Sequence, residues 1–321
     1  MRRNLITGFL VIMLLIISGC SSAADIGEGS AKSKPGQPEE KTESNFTIML
    51  SRDFGQAALD ERQVELISEN SLLQYMEAEH QITTGYGGGF IVGINELVSA
   101  QSEGKNFDWF FFVNGTVAGV GADQLKPTAG DIVWWDYHTW SNAAGQSAVI
   151  GCYPQPLVNR PVSILTDQRW MKLANECQTA IIAQGAGEVE VADLSNQESQ
   201  FNKPTCPVIV IGTWEELQQS SYLLKWNQAY DRHGASVHFT DDGLELLGFD
   251  GQVQRILGPG AGVIVASGQG MGDTNPLWLI AGVDDQGVKE AAQVLCAQPD
   301  ELAWKCGLAV QAGEITALPV D

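Results

Sequence analysis

The chain has few basic residues. Its 18 Lys and Arg stand against 39 Asp and Glu, which gives a formal net charge of −21 at pH 7. No run of Lys or Arg follows the pair Arg2-Arg3. A nucleic-acid receptor needs a basic stripe to meet the phosphate backbone, so this composition excludes nucleic acid as a partner.

Sequence motifs of common enzymes are also missing. There is no Gly-x-Ser-x-Gly elbow, and the four histidines show no His/Glu spacing of the zinc hydrolases. Glycine runs at 258–262 and 268–272 do not open a helix, which a phosphate loop must do. We therefore predict that the protein is not an enzyme and has no metal site and no cofactor.

An apolar run near the start predicts export. Arg2 and Arg3 precede apolar residues 5–17, and the small residues 18–22 follow, which is the layout of a signal peptide and its processing site. The run is short for a membrane-spanning helix, which needs roughly 20 apolar residues. We expect a signal peptide over residues 1–19, and an uncleaved anchor helix is the alternative.

The sequence Ile17-Ser18-Gly19-Cys20 resembles the lipobox of bacterial lipoproteins. In that family the cysteine receives a diacylglyceryl group and becomes the new N-terminus. The resemblance implies that Cys20 is lipidated and anchors the protein in the cell membrane, on its extracytoplasmic face.

Composition also predicts the domain organisation. Residues 20–44 are rich in Ser, Gly, Lys, Glu and Pro without apolar periodicity, so we predict a flexible linker there. The remainder is longer than an average domain. Pro154-Gln155-Pro156 and a change of pattern divide it into a first domain, 45–153, and a second domain, 154–321.

Five cysteines remain besides Cys20, an odd number in a compartment that permits disulfides. Cys296 and Cys306 would close a short loop after a helix, and Cys177 with Cys206 would join a helix to a neighbouring strand. Connectivity cannot be deduced from sequence, so both pairings are left open.

The first domain reads as strands crossed by one helix. Strand composition covers residues 46–50, and a helix is predicted over 68–80 with Asn70 or Ser71 as its cap. Two aromatic strands follow, 109–115 and 130–137, and Asn114-Gly115 is a strong hairpin signal. The pattern predicts a small β-rich domain.

These segments resemble the transcobalamin-like C-terminal domain family, known as the DUF4430 type. The similar segments are Ser71-Leu72-Leu73, Ile91 to Glu96, Trp109 to Gly115 and Gly130 to Tyr137. The resemblance implies a β-grasp-like fold. In vitamin B12 carriers such a domain closes over one face of the corrin ring and a helical barrel supplies the other. No barrel is recognised here, so the resemblance leaves cobalamin open as a ligand without requiring it.

The second aromatic strand supplies the candidate binding residues. Alternation places Val133, Trp135 and Tyr137 on one face, which we expect to meet the core. The opposite face carries Trp134, Asp136 and His138, continued by Trp140, and is expected to be exposed and to stack on a flat ring or sugar. Asn114 is a further ligand-binding candidate. The alternative is that these tryptophans fill a core on both faces of the strand.

Strands and helices alternate in the second half. Strands are predicted at 161–165, 207–211, 262–266 and 277–283, and helices at 167–182, 214–230 (in one or two pieces) and 285–296. This alternation predicts a three-layer α/β sandwich. Residues 275–292 resemble a strand-to-helix unit of surface-layer and envelope modules. Any α/β unit with a good helix cap would also explain them.

The sequence as a whole predicts an α+β domain followed by an α/β domain on a membrane anchor. We expect a non-catalytic extracellular lipoprotein that binds a corrinoid or other ring-shaped small molecule through an aromatic surface. The alternative is an adhesion or scaffold protein whose partner is a component of the cell envelope.

Overall fold

A computed structural model describes residues 44–321 except 68, 141–144 and 196. The predicted signal peptide, Cys20 and nearly all of the linker lie outside these residues. Within them, no helix combines the length and apolarity needed to cross a membrane. The described chain is a mixed α/β protein with several sheets.

The described residues of the first half include two sheets and helix α1. The strands are β1 Asn45–Arg52, β2 Ala57–Glu65, β3 Ile82–Gly85, β4 Phe90–Ile94, β5 Leu97–Val98, β6 Ala100–Ser102, β7 Lys105–Val113, β8 Thr116–Val117 and β9 Ile132–Thr139, with helix α1 at Leu72–Glu79. The larger sheet runs β2-β1-β9-β7-β6, and β8 pairs with β7. Strand β9 is central, parallel to β1 and antiparallel to β7.

The sequence around Ser71 explains where α1 begins. The Ser71 hydroxyl accepts from the backbone N–H of Gln74, and the Gln74 side chain accepts from the N–H of Ser71. The helix buries Leu72, Tyr75 and Met76 against the larger sheet. The predicted helix and cap are confirmed, whereas β2, which has no strong apolar alternation, was missed.

The second half alternates helices and strands. Its strands are β10 Val162–Thr166, β11 Val189–Asp193, β12 Val208–Thr213, β13 Val237–Thr240, β14 Gly243–Leu247, β15 Val253–Leu257, β16 Gly262–Ser267, β17 Leu277–Gly282, β18 Gly307–Gln311 and β19 Glu314–Leu318. Its helices are α2 Met171–Ala183, α3 Glu198–Asn202, α4 Trp214–Leu217, α5 Ser221–Gln228 and α6 Asp285–Ala297. The larger sheet runs β11-β10-β12-β17-β16-β18-β19, parallel from β11 to β17.

Both faces of this sheet are covered. Helices α2 and α6 pack on one face, while α4, α5 and the β13–β15 sheet pack on the other. Strand β12 is buried along its whole length, as expected for a parallel strand between two layers. The strands and helices predicted for this half are confirmed. The Asp284 side chain caps the start of α6 by accepting from the N–H groups of Gln286 and Gly287.

The two halves share a hydrophobic cluster. Met49, Phe54 and Trp134 of the first half lie in one cluster with Cys152 and Cys306. At Gly55, where φ is +83°, an added Cβ would lie 2.0 Å from the carbonyl oxygen of Trp304, so only glycine permits this approach. The segment Pro154-Gln155-Pro156, at the predicted division between the domains, lies between buried Cys152 and buried Leu157. The boundary at residue 153 stays a prediction.

Candidate functional site

Strands β7 and β9 carry the aromatic residues singled out in the sequence. They pair antiparallel, with Phe110 opposite Asp136 and Phe111 opposite Trp135. Val133 and Trp135 are buried against α1, and Tyr137 packs at the border of that cluster. The predicted core face of β9 is therefore correct.

The expectation for the opposite face is wrong. The exposed fractions are 0% for Trp134, 0% for Asp136 and 1% for His138. Trp134 lies under Cys306 and Val149, because residues beyond β9 fold back over the sheet. The alternative, a strand buried on both faces, is what the structure shows.

Asp136 is the centre of a buried polar cluster, which we call the Asp136 cluster: Ser51, Phe54, Trp134, Asp136 and His138. The carboxylate accepts from the backbone N–H groups of Phe54 (2.9 Å) and Gly55 (2.8 Å), from the Ser51 hydroxyl, and contacts His138 Nδ1 at 2.5 Å. The indole of Trp134 donates to the Ser51 hydroxyl at 2.6 Å. These contacts satisfy a carboxylate that would otherwise be costly to bury.

His138 is held by stacking as well as by Asp136. Its ring lies between those of Phe54 and Phe110, with both centroid distances 4.2 Å. Its Nε2 is buried without a hydrogen-bond partner among the described residues. The imidazole is thus enclosed by the protein and is not presented to a ligand.

Asn114 also has a structural position. It adopts φ +52° in the turn after β7. Its amide donates to Asp131 at 2.7 Å and its carbonyl accepts from the N–H of Ile132 at 2.9 Å. These bonds tie the hairpin turn to the start of β9. Asn114 therefore lies apart from the other predicted binding residues.

An open cavity of about 460 Å³ lies beside β7, and Trp140 is the predicted binding residue found there. We call it the aromatic groove. Its lining includes the aromatic residues Tyr86, Phe90, Trp109, Phe110, Phe111, Trp135 and Trp140, together with Met271. Aromatic and apolar side chains with a few polar groups are typical of small-molecule sites of this size.

The strand pairing explains why the groove is open. Strand β6 pairs with residues 105–107 and β8 with residues 112–113. Between them, residues 108–110 have no ladder partner on this edge among the described strands. The cavity lies at this gap, with β4 on one side and residues 117–122 on the other.

The rim of the groove exposes large apolar side chains. Tyr86 is 91% exposed, Phe90 62%, Trp140 48% and Met271 74%. The Tyr86 and Phe90 rings meet edge to face at 5.9 Å, and Phe110 meets Trp140 in the same way at 5.4 Å. Exposed apolar residues grouped in this way mark binding surfaces more often than isolated ones do.

Two polar atoms on lining residues lack partners within the described chain. The indole Nε1 of Trp135 and the side-chain oxygen of Gln146 are both buried and unbonded. One is a donor and the other an acceptor. A ligand with a polar edge can satisfy such groups, which otherwise cost free energy.

The sequence analysis did not predict that the loop of residues 268–272 forms one side of the groove. The backbone N–H of Gly272 donates to Val117 at 2.9 Å, and the hydroxyl of Ser147 bonds both the N–H and the C=O of Gly268. A Cβ on Gly119 would lie 2.9 Å from the Cα of Gly272, so the loop approaches closely only because both residues are glycines. The signal that was available is Met271 between two glycines, an apolar side chain in a polar loop.

Neither of the cysteine pairings that the sequence left open is formed in the described structure. All five described cysteines are free. The sulfur of Cys177 lies 3.4 Å from that of Cys296, which joins neither proposed pair. The sulfur of Cys306 faces the carbonyl of Phe54 at 3.6 Å instead. The sequence could not show this, because it does not reveal that α2 and α6 pack side by side.

The family model for a domain of unknown function, DUF4430, matches residues 69–139. This segment is a DUF4430 domain. It supplies most of the aromatic groove, whereas Trp140, Gln146 and Met271 lie beyond the DUF4430 domain in sequence. The groove is therefore completed by residues outside the matched segment.

One solved structure similar to part of the chain is that of a Ruminococcus gnavus protein, described as a "putative metal binding protein". It is 21% identical, with 30% of this chain and 98% of that chain covered and a TM-score of 0.24. No curated protein gives a significant match. In the described part of this chain, no three His, Cys, Asp or Glu side chains are grouped to hold a metal ion.

A second cavity, of about 480 Å³, lies near the C-terminus. Its lining mixes Arg255, Lys305 and Asp321 with Trp304 and backbone. It has neither a cluster of aromatic side chains nor an unpartnered buried polar atom among its described lining residues. We therefore treat the aromatic groove as the candidate site.

Proposed function

We propose that this protein is a non-catalytic, membrane-anchored lipoprotein that captures a flat, largely apolar small molecule in the aromatic groove. The observation that carries the proposal is that four exposed side chains, Tyr86, Phe90, Trp140 and Met271, surround a cavity of about 460 Å³. Leaving these side chains in water is unfavourable, and a ligand that covers them recovers that free energy.

The chemistry of the lining favours a ring-shaped ligand. Tyr86, Phe90 and Trp140 offer faces or edges for stacking, which contributes about 0.5–1.5 kcal/mol per aromatic pair beyond the buried area. On the lining residues, the unpartnered Trp135 Nε1 and Gln146 oxygen would be the donor and the acceptor for polar groups on its edge. Met271 adds a flexible, polarizable side chain that adapts to irregular ligand shapes.

A corrinoid is our first candidate because of the transcobalamin-like resemblance. With it we propose the finer fold assignments, a β-grasp-like first domain and a three-layer α/β sandwich as the second. The lipid anchor at Cys20 would hold the groove outside the cell membrane. This location suits capture of a nutrient before transport.

An envelope adhesion or scaffold protein is the second candidate. Tyr86 and Met271 are largely exposed, at 91% and 74%. Exposed apolar side chains of this kind also mark protein interfaces. In this case the groove would bind a side chain or strand of an envelope partner.

The binding test is a titration with cobalamin, followed by tryptophan fluorescence and the corrin absorption bands. We expect saturable quenching by the wild-type protein. Trp140→Ala should weaken binding about tenfold, because it removes both a stacking contact and buried area. Trp140→Phe keeps a ring and should lose less.

The matched control is Ile256→Ala, which truncates a 51% exposed apolar side chain outside the groove. It should bind like the wild type. Equal weakening by Ile256→Ala and Trp140→Ala would contradict the groove as the site. If cobalamin causes no quenching, a corrinoid is not the ligand. If a general apolar dye also fails to bind, small-molecule capture is excluded and the scaffold candidate remains.

The anchor is tested separately by Cys20→Ala. We expect the variant to lose incorporation of labelled fatty acid and to be processed differently from the wild type. Incorporation at the wild-type level would contradict lipidation of Cys20. This result does not depend on what the groove binds.

A further inference from the structure

Two thiols from distant parts of the sequence lie side by side on one face of the second sheet. Cys177 is on α2 and Cys296 is near the end of α6, 119 residues later, and their sulfur atoms are 3.4 Å apart. The two helices bury Ala174, Ile181 and Leu295 in the same cluster, so the contact belongs to the packed core. The contact between the two sulfur atoms is therefore set by the packing of the two helices.

The two thiols differ in access. Cys177 is fully buried, while Cys296 is partly exposed. The hydrogen bond between them lowers the pKa of the Cys296 thiol, and the same bond together with burial raises the pKa of Cys177. Cys296 is thus the thiol that a reagent reaches first, and the one that more readily gives up its proton.

None of the other described cysteines makes a direct contact with another thiol, although Cys152 lies close enough to Cys306 for its charge to raise the pKa of Cys306. Burial raises the pKa of Cys152 to about 12, and burial also raises the pKa of Cys306, whose sulfur faces a backbone carbonyl. Cys206 is partly exposed and lies near Arg160. These three provide internal controls for reactivity.

We propose that Cys177 and Cys296 form a disulfide that joins α2 to α6, with Cys296 as the attacking thiol and Cys177 as the resolving thiol. The oxidant is a small or protein disulfide. The Cys296 thiolate attacks it to give a mixed disulfide and release one thiol. The Cys177 sulfur then attacks the Cys296 sulfur and releases the second thiol. Two thiols are oxidised, one disulfide is reduced, and both protons leave on the released thiols.

The geometry permits this reaction with small movements. A disulfide requires the sulfurs to close from 3.4 Å to about 2.05 Å, which side-chain rotation can supply where the helices already pack. The bond would close a long loop. Closing a long loop constrains the unfolded chain and raises the melting temperature.

The experiment incubates purified full-length protein with oxidised glutathione, then blocks free thiols under denaturing conditions and maps peptides by mass spectrometry. We expect one cross-linked peptide pair containing Cys177 and Cys296, with Cys152, Cys206 and Cys306 blocked as free thiols. Reduction should abolish the cross-link and lower the melting temperature by several degrees. A Cys296–Cys306 or Cys177–Cys206 cross-link, or no cross-link, would overturn the proposal.

Two variants test the order of the steps. Cys177→Ser should retain glutathione on Cys296, because the resolving thiol is missing. Cys296→Ser should leave Cys177 unmodified in the folded protein. Glutathione on Cys177 in that variant would contradict the assigned roles. The proposal does not require the groove to bind a ligand or Cys20 to be lipidated, so its failure is distinguishable from theirs.

Discussion

The Asp136 cluster and the aromatic groove are built on the same pair of strands, β7 and β9. Phe110 belongs to both, since its ring stacks on His138 and meets the edge of Trp140. In the cluster, Trp134 is covered by residues beyond β9, and Asp136 is enclosed by its hydrogen bonds to residues 51–55. In the groove, the gap between β6 and β8 leaves aromatic side chains in solvent. Similar residues thus take opposite roles according to what lies above them.

The largest expected effect separates the two tryptophans. Trp134→Ala removes a fully buried ring and should lower the free energy of unfolding by about 3–5 kcal/mol. Trp140→Ala, at the exposed rim, should change it by about 0.5 kcal/mol or less. Urea unfolding measures both. If both variants lose a similar free energy of unfolding, Trp134 and Trp140 do not differ in burial as the structure indicates.

A smaller loss is expected from Asp136→Asn. The new amide nitrogen cannot accept a hydrogen bond from the donors around it, which include the N–H groups of Phe54 and Gly55. The free energy of unfolding should fall by about 1.5–3 kcal/mol. Asp241→Asn, an exposed carboxylate in a turn, is the matched control and should be near neutral. If both variants unfold alike, Asp136 is not the centre of the cluster.

The smallest effect concerns His233, a half-buried histidine whose ring does not contact a described carboxylate in the way that His138 contacts Asp136. His233 stacks on Trp226 at 4.2 Å, and its Nδ1 accepts from the N–H of Ala235. Burial lowers the pKa of His233 to about 4. The unfolded chain therefore binds the proton first as the pH falls, and stability is lost between about pH 6.5 and pH 4.

This loss should be on the order of 1–2 kcal/mol at pH 5 relative to pH 7. His233→Phe keeps a ring for stacking but cannot be protonated. Its unfolding free energy should fall less over that interval than that of the wild type. An unchanged difference between pH 7 and pH 5 would show that His233 is not the group responsible.

Local patterns in the sequence predicted local structure well. Ser71 and Asp284 marked the starts of their helices, because a side-chain oxygen satisfies N–H groups that the first turn leaves free. The apolar run at 207–211 predicted β12, and such a run is typical of a strand covered on both faces, as β12 is. Alternation in β9 separated its two faces correctly.

Alternation could not tell whether the second face of β9 met water or protein. That depended on residues 149–152 and 304–306, which are distant in sequence from β9 or lie beyond it. The groove was missed for the same reason: Met271 joins Trp140 in the lining only because a glycine loop from the second half packs against residues 117–119.

The sequence by itself determined the acidic charge, the export and lipobox pattern, and the order of most helices and strands, because these depend on composition and on neighbours within a few residues. Tertiary structure alone decided that Trp134 is buried, that Trp140 is exposed and that Cys177 meets Cys296. Each of these depends on which distant segments pack together. Close packing of one layer on another selects those contacts, and no single segment specifies its partner.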